Sequence, residues 1–270
     1  MRSVGLLALV AALAAPLAAQ EKWRLIWHDE FDGPAGAPPD RSLWIPESGG
    51  DGWGNHEMEQ YTNLPENASL DGDGHLVIMA LAKPNGVYTS ARLKTQGLFS
   101  VTYGKIEARM QIPYGQGIWP AFWMMGADFG DKGWPACGEI DIMENIGKEP
   151  FSIHGTVHGP GYSGSGGIGG TTTLTNGRRV SDDFHVFAVI WGEDSIQFLL
   201  DGEPYFRVTP SSLPAGARWV YNHPFFLLLN LAVGGDWPGT PDRTTEFPQR
   251  LVVDYVRVYA DADRLQRRQQ

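Results

Sequence analysis

The chain has one cysteine, Cys137, so it can form no internal disulfide and no cysteine-based zinc site. With 270 residues it is long enough to be held by an apolar core alone. The apolar neighbours of Cys137 fit a buried, inert thiol better than a nucleophile. Basic residues are scarce as well. Lys and Arg number 21 against 31 Asp and Glu, which leaves a formal charge of −10. That balance excludes the basic surface that nucleic-acid proteins present to phosphate, and equally a docking face for anionic lipid. Long apolar runs are missing after the first residues. Residues 1–19 hold one basic residue, Arg2, an apolar run from Val4 to Leu17, and the small pair Ala18-Ala19. They read as a secretory signal peptide cleaved near Ala19, too short and too Ala-rich for a membrane span. The mature protein is therefore expected to be secreted or periplasmic, with no membrane attachment. Nothing in it demands more than a monomer.

No long stretch shows helical period with caps. What the chain has in quantity is Gly (34), Pro (19) and Trp (10). Residues 105–112 alternate polar and apolar side chains. Residues 195–200 alternate and run into the turn pair Asp201-Gly202. Residues 225–232 are apolar except for Asn230, as in a strand buried on both faces, and residues 251–259 are rich in Val and Tyr. Asp71-Gly72, Asp73-Gly74, Asn85-Gly86 and Asn176-Gly177 are further turn signals. Short strands with frequent turns predict an all-β sandwich. No linker or shift in composition divides it, so residues 20–262 form one domain, followed by a polar tail at 263–270. The glycine-rich stretch 159–170 is expected to be a mobile surface loop.

The chemistry is concentrated in Gly138-Glu139-Ile140-Asp141-Ile142-Met143-Glu144. On a strand, Glu139 and Asp141 share a face, and Glu144 falls on the other. A β-bulge near Met143 would bring Glu144 back beside them. Three carboxylates in a row repel unless they share a proton or bind a cation. With the bulge, Glu139 and Glu144 stand at the spacing of residues i and i+4, roughly 7 Å along the backbone. Converging side chains then approach the separation of about 5–5.5 Å of a retaining glycosidase, in which one carboxylate attacks and the other protonates. The spacing alone leaves open a catalytic pair, a metal site and a solvated acidic face. The neighbouring Trp119, Trp123 and Trp134 favour the first, because sugar C–H faces stack on indoles while sugar hydroxyls seek carboxylates.

The acid segment resembles the signature of the family 16 glycoside hydrolases. Further segments resemble that family in order: residues 27–33, Gly52-Trp53-Gly54-Asn55, residues 88–92, 119–123, 154–158 and 226–230, Gly234-Gly235-Asp236-Trp237-Pro238, and residues 253–259. The resemblance covers nearly all of residues 23–259. It implies a β-jelly roll, a sandwich of two curved antiparallel sheets with a concave substrate cleft. It implies Glu139 as nucleophile, Glu144 as acid/base and Asp141 as assisting carboxylate, with no cofactor for catalysis. The extra residue at Met143 is similar to the laminarinase branch, which implies an endo-β-1,3-glucanase acting on a β-glucan polysaccharide. Mixed-linkage β-1,3/1,4-glucan hydrolysis and non-catalytic β-glucan recognition are the alternatives. His56 departs from the family, where a second Asn is more usual.

Candidate substrate-binding residues follow. Trp119 and Trp123 share a strand face, as a cleft wall requires, and Trp134 and Trp237 add indoles. Arg92 offers a rigid guanidinium fork to sugar hydroxyls. Asn55 and Asn230 need hydrogen-bond partners, either protein or sugar. His158 is similar to a family residue beside the catalytic acids. The resemblance also implies a structural Ca2+ at Glu30, Gly74 and Asp254, largely through carbonyl oxygens and the one Asp. Asp254 lies in a Val- and Tyr-rich strand, where an unpaired carboxylate is costly; a buried salt bridge is the other reading.

Overall fold

A computed structural model describes residues 22–84 and 86–263. The expected signal peptide and residues 264–270 of the expected tail lie outside the described residues. The strands are β1 (Trp23–Asp29), β2 (Ile45–Glu47), β3 (Glu59–Tyr61), β4 (Ala68–Leu70), β5 (Leu76–Ala82), β6 (Tyr88–Ser90), β7 (Arg92–Lys94), β8 (Gly104–Gln111), β9 (Ile118–Gly126), β10 (Glu139–Glu144), β11 (Ser152–His158), β12 (Ile168–Thr173), β13 (His185–Gly192), β14 (Ser195–Leu200), β15 (Glu203–Val208), β16 (Phe225–Val233) and β17 (Gln249–Asp261). One short helix, α1 (Phe129–Lys132), interrupts them.

The strands form two sheets. One runs β15-β14-β13-β8-β17-β5-β6-β3, with β1 added on β17 and β4 on β5; the other runs β12-β11-β10-β9-β16-β7-β2. Every pair in the second sheet is antiparallel. In the first, β3 and β6 pair in parallel. The hairpin between β14 and β15 turns on Asp201 and Gly202, both at positive φ (52° and 85°), which the Asp-Gly pair tolerates better than most residues.

Alternation decides which side chains meet between the sheets. Ile106, Ala108 and Met110 of β8 and Phe187, Val189 and Trp191 of β13 enter the core from one sheet. Phe122 and Met124 of β9 and Leu227, Leu229 and Leu231 of β16 enter it from the other. Each of those leucines is fully buried, and such burial stabilises by about 2 kcal/mol per side chain. All nine residues of β16 are buried, because its other face is covered too. There Phe226 and Leu228 pack with Ala121, Trp123, Met125 and Cys137 in a second, smaller cluster. Burial pushes the Cys137 thiol up to about 11, so it carries no thiolate at neutral pH. The second cluster underlies the face on which the acids stand.

The stretch 159–170 is not a loop throughout. After a 3-10 turn at Gly164–Gly166 the chain enters β12, which pairs along β11 as the edge of the second sheet. The glycines serve close approach. A Cβ at Gly170 would lie 2.4 Å from the Phe206 ring, and one at Gly167 would lie 2.4 Å from the His158 ring.

Candidate active site

Strand β10 carries the acids and is flanked by β9 and β11. Against β9, Asp141 pairs with Trp123 and Met143 with Phe122, so one residue is added between them. Against β11 the register also shifts between Asp141 and Glu144. Ile142 and Met143 both enter the main core, and Glu144 is returned to the face of Glu139 and Asp141. The bulge expected from the spacing is therefore present, and it spans Ile142 and Met143.

The two glutamates each have an indole donor, and the aspartate has an imidazole beside it. The Trp134 indole N–H donates to Glu139 Oε2 at 2.5 Å, and the Trp119 indole N–H donates to Glu144 Oε1 at 3.1 Å. His158 Nε2 lies 3.1 Å from Asp141 Oδ2. Asp141 and Glu144 are buried, and Glu139 is half-buried. Burial first, then the neighbouring Asp141, pushes Glu139 well above the usual carboxylate range. Burial first, then Glu144, does the same to Asp141. Burial pushes Glu144 up to about 7, against the pull of His158 and the Trp119 N–H. Three carboxylates so placed titrate as one unit and keep protons where isolated ones would not.

The indoles frame this triad. Trp237 packs edge-on against Trp119 at 5.5 Å between ring centres, and His154 packs on Trp237 at 5.0 Å. Trp134 is 46% exposed, the most open of the large apolar side chains near the acids. The Arg92 guanidinium lies between the Trp53 and Trp123 rings, 4.7 and 4.8 Å from their centres, and its Nε donates to Glu47 at 2.6 Å. Asn230 accepts from Trp123 Nε1 at 2.7 Å, which answers the question its apolar strand raised. Asn55 donates instead to Glu57, at 3.1 Å, and does not touch the triad. His56 pairs with Asp236 at 2.9 Å and ties the 52–56 segment to the loop that carries Trp237. Its neighbour Trp53 escaped the sequence reading as a site residue, although the Gly-Trp-Gly pattern flags it. Glu47 was also missed, because its partners Arg92 and Lys94 lie 45 and 47 residues away in sequence.

The three residues expected to hold calcium do not present a shared set of free side-chain oxygens. Arg257 clamps Glu30 through two hydrogen bonds, at 2.8 and 2.6 Å, and Arg109 donates to Asp254 at 2.5 Å. Asp254 is the one carboxylate expected to bind the ion, and it is paired with a guanidinium. These pairs engage side chains and not the carbonyl oxygens through which Glu30 and Gly74 are expected to contribute. The salt-bridge reading of Asp254 is the one observed, at a half-exposed position. Among the described residues, the group of His, Cys, Asp and Glu close enough together for a metal ion is Glu139, Asp141 and His158, inside the triad.

A strand that holds two glutamates on one face on either side of an aspartate, walled by indoles, is the equipment of a polysaccharide hydrolase. Residues 55–257 match glycosyl hydrolases family 16, and the chain belongs to that family. It is 49% identical to the endo-beta-1,3-glucanase from Pyrococcus furiosus, whose solved structure it matches with a TM-score of 0.82 over 88% of this chain and 95% of that one. It is 47% identical to the laminarinase catalytic domain from Thermotoga maritima, with a TM-score of 0.83 over 89% of this chain and 99% of that one. It is also 43% identical to a beta-glucanase of Rhodothermus marinus, across 88% of this chain and 85% of the relative. The jelly-roll architecture and the glycoside hydrolase class follow from these together.

Proposed function

We propose that the protein is an exported, monomeric, retaining endo-β-1,3-glucanase that cuts laminarin-type glucans internally. The observation that carries this reading is the bulged strand β10, with Glu139 and Glu144 on one face and a separate indole donor on each. The named relatives that act on β-1,3-glucan support the substrate.

In this mechanism Glu139 attacks the anomeric carbon while Glu144 gives its proton to the leaving oxygen. The attack needs Glu139 ionised; the Trp134 N–H favours that form, against burial and the neighbouring Asp141, which favour the protonated one. Glu144, pushed up to about 7, holds its proton in weakly acidic solution and can donate it. After departure of the leaving chain, Glu144 takes a proton from water, and the resulting hydroxide releases the sugar from Glu139. Asp141 between them, with His158 at 3.1 Å, keeps the charge of the pair balanced as the proton moves. The chemistry needs no catalytic cofactor. Trp119, Trp134 and Trp237 supply stacking surface; Trp123 is buried beneath Arg92, which stiffens the Trp53–Trp123 end.

Reducing-end release from laminarin, barley mixed-linkage glucan, agarose and carboxymethyl cellulose tests the reading. Laminarin is expected to be the best substrate, with the β-anomer released first in the NMR spectrum. Glu139→Ser is expected to abolish hydrolysis and retain glucan binding. Activity retained by Glu139→Ser overturns the assignment. A preference for barley glucan moves the enzyme to mixed-linkage hydrolysis, and binding without cleavage moves it to recognition. N-terminal sequencing of the protein from culture fractions and its elution volume check export and the monomer.

A further inference from the structure

Glu57 and Glu59 form a second buried acid pair, behind the indole wall and apart from the reacting triad. The hydrogen bonds around them run in a forced direction. An indole N–H can only donate. Trp123 Nε1 donates to Asn230 Oδ1 at 2.7 Å, which turns the Asn230 amide so that Nδ2 donates to the Tyr61 hydroxyl oxygen at 3.0 Å. The Tyr61 proton must then go to Glu57 Oε2, at 3.0 Å. The other oxygen of Glu57 accepts from Asn55 Nδ2 at 3.1 Å. Both Glu57 oxygens therefore accept, as those of an ionised carboxylate do.

Glu59 is arranged differently. Its Oε2 accepts the Val233 backbone N–H at 2.6 Å. Its Oε1 is buried and meets no donor, yet the carboxyl touches that of Glu57. A bare oxygen there would be a buried acceptor with no partner. A hydroxyl there would donate to Glu57 and leave every polar atom of the pair satisfied. Burial, reinforced by Glu57, also pushes Glu59 up to about 9.

We infer that Glu57 and Glu59 share one proton, carried on Glu59 Oε1, and that this pair is the common anchor positioning both indole walls of the site. One arm is Glu57–Tyr61–Asn230–Trp123, with Arg92 stacked on the last ring. The other arm is Glu59–Val233, which fixes the start of the loop carrying Trp237. Met58 N–H also donates to the Val233 carbonyl at 2.8 Å, and Asp236 N–H to the Asn55 carbonyl at 2.9 Å. Trp237 then braces Trp119, the donor to Glu144. Glu57 and Glu59 touch no reacting atom and act through these residues. The kinetic part of this inference rests on the glucanase reading.

The proton makes the two glutamates unequal, and the test uses that. In Glu59→Gln the amide oxygen accepts from Val233 and the amide N–H donates to Glu57, so the pattern survives. This variant is expected to hydrolyse laminarin within about twofold of the wild type. It should melt no lower, and at neutral pH it should lose one infrared carbonyl band of a protonated carboxyl group. In Glu57→Gln an amide nitrogen faces the Tyr61 or Asn55 donor and cannot accept. KM for laminarin is expected to rise about tenfold, the size of a lost hydrogen bond to a charged group, with kcat less affected. An infrared spectrum unchanged in Glu59→Gln overturns the inference, and so do two variants that are equally harmful. If Glu57→Gln does not fold, the infrared difference and melting temperature of Glu59→Gln decide. Those two measurements need no substrate, so a failed proton assignment is distinct from a failed glucanase reading.

Discussion

Glu144 is more useful to the reaction than to the fold. Its carboxyl is pushed up to about 7 from an ordinary value of 4.5, chiefly by burial. An acid whose folded pKa is raised binds its proton more tightly when folded. Its contribution to stability is therefore fully present below the unfolded value and is lost as pH rises from about 4.5 through about 7. Glu144→Gln keeps the shape and removes that loss. The variant is expected to melt with the wild type near pH 4 and several degrees higher at pH 8, where the acid would otherwise be ionised. Hydrolysis should fall by about 10²–10⁴-fold, the usual contribution of a general acid. In the wild type, kcat/KM is expected to decline on the alkaline side with an apparent pKa near 7, a property of the whole triad. Thermal melts and a pH–rate profile check the two halves, and equal melting temperatures at pH 8 would remove the stability argument. The reacting acids were legible in the sequence because like charges at short strand spacing are unfavourable without a purpose. Glu57 and Glu59 have the same spacing but were not legible. Glu59 meets Val233, 174 residues away, and Glu57 reaches Asn230 only through Tyr61, which is 169 residues from Asn230, so only folding brings the set together.

At the scale of elements, β10 and β12 give opposite lessons. The bulge in β10 could be read from sequence, since only an added residue returns Glu144 to the face of Glu139. Strand β12 could not, because a run of glycine reads as a loop wherever the reason for glycine lies in another strand. Here the reason is His158. Gly167 precedes β12 and lies so close that a Cβ would stand 2.4 Å from Cε1 and 2.6 Å from Nδ1 of the imidazole. The ring can yield, and in yielding it leaves Asp141, from which it now stands 3.1 Å. Gly167→Ala is expected to lower kcat by between about tenfold and a hundredfold, the usual cost of displacing a group in an active site by about an ångström. Its melting temperature should change little, because the displaced ring is a side chain and β12 is an edge strand. Gly166→Ala is the control, with nothing within 4 Å of the added Cβ. Steady-state kinetics on both variants check the point, and equal kcat values would show that His158 does not depend on this contact.

For the whole molecule, the question is what holds together a domain with one buried free cysteine and a net charge of −10. The core between the two sheets is extensive and runs the length of both. Two acidic side chains at the first sheet meet arginines: Asp254 meets Arg109, and Glu30 meets Arg257. A resident calcium would have to compete with Arg109 for its one expected carboxylate, and calcium requires six to eight oxygens around it. The energetics make this decidable by melting. A site in the folded state exposed to calcium at a hundred times its Kd would stabilise the protein by about 2.7 kcal/mol. For a domain of this size that is a rise of about 5–10 °C in melting temperature. The arginine pairing predicts that excess calcium and excess chelator give melting curves within about a degree of each other. It also predicts that Asp254→Asn costs the same small amount in both, because what it breaks is a half-exposed ion pair, worth about 0–1 kcal/mol. A calcium-dependent rise that disappears in Asp254→Asn would show instead that the ion displaces Arg109, and that the first sheet is clamped by metal rather than by its arginines.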